Sequence, residues 1–253
     1  MLQTLANAFR TPEIRKKIGF VAAMLLLYRV GSYVPSPGVD VDQLKSFQEG
    51  FNSGDILGFL NLFSGGSLSR LSIFALGIMP YITASIILQL MTVVSPTLEQ
   101  LAREGEVGQQ KITQYTRYLT VALAMAQALG YVLLFKNQPD GPITNVRFGN
   151  LLLIATCLTA GTVLLMWIGE LITQRGIGNG ISLLIFASIV AGLPQGISAW
   201  WNSTDQIFKL MMPFIALGVI VAVVFIQEGQ RRIPVQYAKR QVGRKMTQGG
   251  STY

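Results

Sequence analysis

The sequence predicts an all-α fold, a polytopic bundle of membrane helices. Three observations lead there. Only 13% of the 253 residues are charged and 51% are hydrophobic, whereas a soluble domain carries about 25% charged residues. The charges collect in short stretches and vanish from long apolar ones, as in a chain solvated by lipid. The basic residues favour alternate loops, which is the signature of membrane topology.

The first 17 residues form a cytoplasmic N-terminal segment in which Arg10, Arg15, Lys16 and Lys17 precede an apolar run. A secretory signal begins the same way. No small-residue cleavage site follows and further spans do, so the run reads as a retained first span. A spanning helix needs about 20 mostly apolar residues. Six runs qualify as candidates: 18–33, 72–94, 118–135, 151–168, 181–201 and 207–226. The second is the clearest. The first is short and carries Arg29, and the fifth contains Pro194, a candidate end point. Pro80 and Pro213 fall inside spans, which membrane helices tolerate when neighbouring groups satisfy the freed carbonyls.

Residues 56–71, ILGFLNLFSGGSLSRL, are apolar but short and are interrupted by Gly65-Gly66. Such a length argues for a re-entrant or interfacial helix. Non-helical backbone at membrane depth survives only against protein or a water-filled cavity, so this segment implies a cavity open to the outside. Beyond the sixth run, 227–253 is a basic cytoplasmic tail. With the N-terminus inside, the inner segments hold 14 Lys and Arg residues and the outer ones 5, with Arg29 in the first span. That bias places both ends in the cytoplasm.

Several function classes lose support here. The net charge of +8 flanks apolar runs, so topology explains it better than nucleic acid does. No histidine is present, and the single cysteine, Cys157, lies in an apolar run as a small hydrophobe would. The six runs contain no Asp or Glu, and Glu170 and Glu228 fall just beyond cytoplasmic ends. Ion-coupled carriers bury carboxylates near the midplane, so passive conduction is favoured. An intramembrane enzyme would need a nucleophile with its base, or a metal, and neither set is visible. No metal, no cofactor and no catalytic residue is expected. The glycine-rich Arg175-Gly176-Ile177-Gly178-Asn179-Gly180 follows an apolar span and not a strand, so a tight turn is favoured over a phosphate loop.

Ile78 and Ile82 are one helical turn apart on the second run, as are Ile181 and Ile185 on the fifth. Each pair shares a face, and from pattern alone ordinary helix packing accounts for both. Thr83, Ser85 and Gln89 on the second run and Gln127 on the third are polar. Their plain role is helix–helix hydrogen bonding, worth about 0.6 kcal/mol each.

Four stretches carry a resemblance: GGSLSRLSIFALGIMPYITASIILQL (65–90), GQQKITQYTRY (108–118), GELITQRGIGNGISLLIFASIVAGLP (169–194) and QRRIPVQYAKRQVGRK (230–245). In this order and with these intervening spans, the chain resembles the N-terminal portion of the SecY family of protein-conducting channels. The resemblance implies a ten-helix channel built as two inverted five-helix halves. Residues 18–201 would be the first half and 207–226 a sixth helix, with four further apolar spans expected past Tyr253. It implies that the function is passage of unfolded polypeptides across the bacterial inner membrane, or release of apolar segments into lipid.

It further implies that Ile78, Ile82, Ile181 and Ile185 belong to a pore ring. Phe59, Leu60, Asn61, Leu62, Phe63, Ser64, Gly65, Gly66 and Ser67 would form a plug, with the glycines as hinge. Thr83, Ser85, Gln89 and Gln127 would belong to a lateral gate. Arg231, Arg232, Lys239, Arg240, Arg244 and Lys245, in a basic mobile loop, would dock ribosomal RNA or the motor SecA. The implied partners are SecE, SecG, SecA with ATP, the ribosome, a signal-bearing polypeptide and lipid. In a six-helix chain by itself, Asn61, Ser64, Ser67 and the backbone around Gly65-Gly66 are expected to face lipid with unsatisfied polar groups.

Overall fold

A computed structural model describes residues 11–40, 43, 56–136, 142–143, 147–203, 205–230, 235–236, 240–242, 245–247 and 251–252. The chain divides into two compact units, Met1–Gly196 and Ile197–Tyr253.

In the first unit, α1 (Pro12–Gly31) starts with proline in its first turn, where the missing N–H costs nothing. α2 (Ile56–Phe63) is a two-turn helix. α3 (Met79–Val94) runs into α4 (Pro96–Arg103) through a 100° bend at Ser95. α5 (Glu106–Lys136) and α6 (Phe148–Arg175) are long and pack on one another. α7 (Gly180–Asn202) crosses the division between the units. Apolar residues of α5 and α6 build one core cluster, with Ala124, Ala128, Val132 and Phe135 set against Ile154, Ala155 and Leu158. A second cluster gathers Tyr28, Phe74, Ile78, Leu165, Ile168, Ile172 and Leu184.

The expected spans are changed in three places. The second is helical only from Met79, and at 1.5 Å per residue its 16 residues reach about 24 Å. Residues 72–78 are turns instead, held by Ile73 N–H to Val34 O, Ala75 N–H to Ser72 O and Gly77 N–H to Phe74 O. Their apolar character comes from burial in protein: Phe74 abuts α1 at Gly31, and the Ile73 carbonyl abuts α6 at Gly161, where neither glycine has room for a Cβ. Pro80 therefore sits in the first turn of α3 and not inside it. α7 continues through Pro194 to Asn202 instead of ending there.

Among the described residues, α5, α6, α7 and α8 are long and apolar enough to cross a membrane, and the bent pair α3–α4 counts as up to one more. α1 is not among them, because Arg15, Lys16, Lys17 and Arg29 interrupt its 20 residues. The Arg175–Gly180 loop is the expected tight turn. Gly178 has φ +76°, Asn179 Oδ1 accepts from Ile181 N at 3.0 Å, and Thr173 Oγ1 accepts from Gly180 N at 2.9 Å.

The second unit holds α8 (Gln206–Gln227), capped by Asp205 Oδ1 on Ile207 N at 3.0 Å. The tail departs from the expected loop in carrying strands. β1 (Val235–Gln236) pairs with β4 (Ser251–Thr252), and inside them β2 (Arg240–Val242) pairs with β3 (Lys245–Thr247), both antiparallel.

Candidate functional site

The segment expected as a plug is α2 and the turn after it. Gly65 and Gly66 take φ +65° and +82°, a left-handed pair that glycine adopts without steric cost. That reversal lets Gly65 N–H reach Leu62 O at 3.1 Å and Gly66 N–H reach Asn61 O at 2.9 Å. Ser64 Oγ donates to Asn61 O at 3.0 Å and accepts from Leu68 N at 3.1 Å, while Asn61 Oδ1 accepts from Ser69 N at 3.0 Å. The expectation that these groups face lipid unsatisfied is corrected for Asn61, Ser64 and the glycine backbone, because local turns and α1 supply their partners. Among the described residues, the buried Ser67 Oγ has no hydrogen-bond partner. Leu60 packs on the α5–α6 cluster, Leu62 is exposed, Phe63 is half-buried, and the Phe59 side chain lies outside the described atoms.

The turn is seated on α1 and α7. Tyr28 Oη donates to Ser64 O at 3.3 Å and lies 2.7 Å from Ser188 Oγ. Arg29 Nη1 donates to Gly65 O at 3.0 Å and Nη2 to Tyr33 Oη at 3.2 Å. The Arg70 guanidinium stacks 4.1 Å from the Tyr33 ring centre. Arg29 looked out of place in a span, and intramembrane charge is a standing signal of function. Sequence reasoning missed Tyr28, Ser188 and Tyr33, which carry no pattern of their own.

All four ring candidates meet at the second cluster. Ile78 is 7% exposed and part of its buried core, while Ile82, Ile181 and Ile185 are half-buried and pack against it. Ile82 N–H to Ile78 O at 3.2 Å confirms the single turn between that pair. The Gly65-Gly66 turn rests on this same cluster. A Cβ at Gly77, beside Ile78, would lie 3.6 Å from Ser64 Cα, and one at Gly65 would lie 3.3 Å from Ser188 Cα, one turn beyond Ile185.

The gate candidates sit on α3 and α5, which pack together. Thr83 and Gln89 are exposed, and Ser85 and Gln127 are half-buried. Thr83 Oγ1 donates to Met79 O of its own helix at 3.0 Å. Among the described residues, none of these four side chains bonds another helix. Of the docking candidates, Arg240 opens β2 opposite Thr247, and Lys245 opens β3 opposite Val242. Arg231, Arg232, Lys239 and Arg244 lie outside the described residues.

A further ion pair was not legible in the sequence. Arg117 on α5 grips Glu170 on α6 bidentately, Nε to Oε1 at 2.9 Å and Nη2 to Oε2 at 2.6 Å. It borders a cavity of about 310 Å³ lined by Val163, Met166, Trp167, Leu171 and Gln174.

Comparison with known proteins places this geometry. The family model described as SecY matches residues 72–253. The protein translocase subunit SecY of Corynebacterium glutamicum is 48% identical over 263 residues, covering 100% of this chain and 59% of the relative. That of Pseudomonas aeruginosa is 50% identical over 240 residues, covering 92% of this chain and 53% of the relative. The chain thus spans less than two thirds of the length of these curated relatives. Two solved structures share the fold at a TM-score of 0.58 and 16% identity. One is Sec61 in a canine ribosome-channel complex from the endoplasmic reticulum, covering 86% of this chain and 48% of that one. The other is described as the structure of a protein conducting channel, covering 94% and 52%. An all-α membrane bundle matching part of that channel fold, with a SecY profile over most of its length, this chain belongs to the SecY family.

Proposed function

We propose that this chain supplies the plug and part of the pore wall of a channel for unfolded polypeptides, in a bacterial plasma membrane with both ends of the chain cytoplasmic. One observation carries the reading: the left-handed Gly65-Gly66 turn is seated on the cluster that holds Ile78, Ile82, Ile181 and Ile185. Branched aliphatic side chains resist wetting and so block ions. They also offer no hydrogen bond that would hold a passing chain. Ile82, Ile181 and Ile185 are only half-buried and so are available to line a pore. The open polar side chains of Thr83, Ser85, Gln89 and Gln127 support a lateral gate against helices of the complete channel.

The channel is passive and needs no cofactor. SecA with ATP, or the ribosome, supplies the driving force and docks on the basic tail, while SecE and SecG complete the complex. The test is cross-linking in the complete channel. Cysteines replacing Ile82 and Ile185 should form disulfides with a single-cysteine secretory chain halted in transit, and only when its signal sequence is intact. Absence of cross-links, with a control cysteine on the substrate fully reactive, would remove these residues from the pore.

A further inference from the structure

Three close oxygen contacts at the plug seat share two hydrogens. Tyr28 Oη lies 3.3 Å from Ser64 O and 2.7 Å from Ser188 Oγ, and Ser188 Oγ lies 2.8 Å from Leu184 O. A carbonyl accepts only, and each hydroxyl donates one hydrogen. Two arrangements place a hydrogen in the short 2.7 Å contact between the two hydroxyls, which is repulsive without one. In one, Ser188 donates to Tyr28 and Tyr28 donates to the Ser64 carbonyl of the plug. In the other, Tyr28 donates to Ser188 and Ser188 donates to the Leu184 carbonyl of its own helix. Both use both hydrogens. Only the first touches the plug.

We propose that Tyr28 and Ser188 are positioning residues for the plug, a two-state hydroxyl pair that tethers its turn and then satisfies itself when the turn leaves. The proposal rests on the plug reading above. Its physical content is the low cost of release. Tyr28 and Ser188 are 3% and 5% exposed, and a buried hydroxyl left without a partner is expensive. The swap spares the seat that cost, since the second arrangement needs nothing from the plug. Arg29 is a separate tether through Gly65 O and does not enter the swap.

The two hydroxyls therefore carry opposite predictions, which a purely structural role would not give. Tyr28→Phe removes the tether and leaves Ser188 bonded to Leu184 O, so the resting ion conductance of the complete channel should rise about three- to tenfold. Ser188→Ala leaves the Tyr28 hydroxyl with Ser64 O as its one partner. Resting conductance should then stay at or below wild type, while opening by a synthetic signal peptide should fall about tenfold. Ser188→Thr keeps the hydroxyl and should restore opening, and the double variant should behave as Tyr28→Phe. Conductance is read in planar bilayers at equal amounts of assembled complex, beside a channel with residues 61–67 deleted.

If the deletion leaks but the two single variants move together, or neither moves, the tether is wrong and the plug stands. If the deletion itself does not leak, the plug reading fails and the tether falls with it.

Discussion

Replacing Gly65 with alanine should unseat the proposed plug, and the structure sets the size of the effect. At φ +65° an L-residue pays about 1–2 kcal/mol for the left-handed conformation. The new Cβ would also lie 3.1 Å from Tyr28 Oη and 3.3 Å from Ser188 Cα. The tyrosine hydroxyl has some room to give, but the Ser188 backbone is fixed in α7, and overpacking of this kind costs about 1–3 kcal/mol. Both costs are relieved once the turn leaves its seat and relaxes. At the low end of each, the total is about 2 kcal/mol, close to a 30-fold shift toward the displaced plug. Gly66 is the internal control. It has φ +82°, but its nearest neighbour beyond the adjoining residues, Arg70 Nη1, is 3.7 Å from an added Cβ. Gly66→Ala should therefore pay the backbone cost alone, about 1–2 kcal/mol. Resting conductance in planar bilayers should rank Gly65→Ala above Gly66→Ala above wild type. Equal conductance for the two variants would show that contact with Tyr28 and Ser188 plays no part in closure.

The isoleucines should separate by burial. Ile82→Ser and Ile185→Ser should raise resting ion leak with little loss of stability, whereas Ile78→Ala should cost about 2–5 kcal/mol of stability as a core truncation, read from thermal unfolding in detergent; a stable Ile78→Ala variant would contradict its place in the cluster. Breaking the ion pair with Glu170→Gln should lower stability by only about 1 kcal/mol, because the Arg117 side chain is 46% exposed and solvent screens it. The swap Arg117→Glu with Glu170→Arg should recover part of that loss, and no recovery would mean that the pair does not couple α5 to α6. Reversing Arg231, Arg232, Arg240 and Arg244 together should weaken ribosome or motor binding in a salt-sensitive way while insertion proceeds. Unchanged binding at physiological salt would leave the tail a topology signal alone.

Much of the helical framework was legible because lipid-facing and core-facing helices share one signal, a long apolar run. The expected spans at 118–135, 151–168 and 207–226 lie within α5, α6 and α8. The same signal misled at 72–94. Residues 72–78 are apolar because they are wedged between α1 and α6, and periodicity cannot tell a buried turn from a buried helix. The seat of the Gly65-Gly66 turn was illegible for another reason. Its hydrogen bonds join residues 36 and 160 positions apart, and no local pattern records such a pairing. That Ile78, Ile82, Ile181 and Ile185 share a cluster followed from family resemblance, since each pair alone looks like ordinary packing.

The two places where the chain is least like a simple row of spans are the ones that build the site. α1 is interrupted by Arg29 and the second apolar run by a non-helical stretch, and each defect answers the other. Without the turns at 72–78, Phe74 would not lie against Gly31 or Ile73 against Gly161, and Ser64 would lose the contact with Gly77 that lays the Gly65-Gly66 turn beside Ile78. Without Arg29, the Gly65 carbonyl, turned out of any helix by its positive φ, would lose the side chain that satisfies it. A buried carbonyl left unsatisfied costs about 1–3 kcal/mol. On the proposed reading of this turn as a plug that leaves its seat, it cannot be an uninterrupted span, because a span satisfies its own backbone. A broken one bonded through side chains can be held, and can be let go.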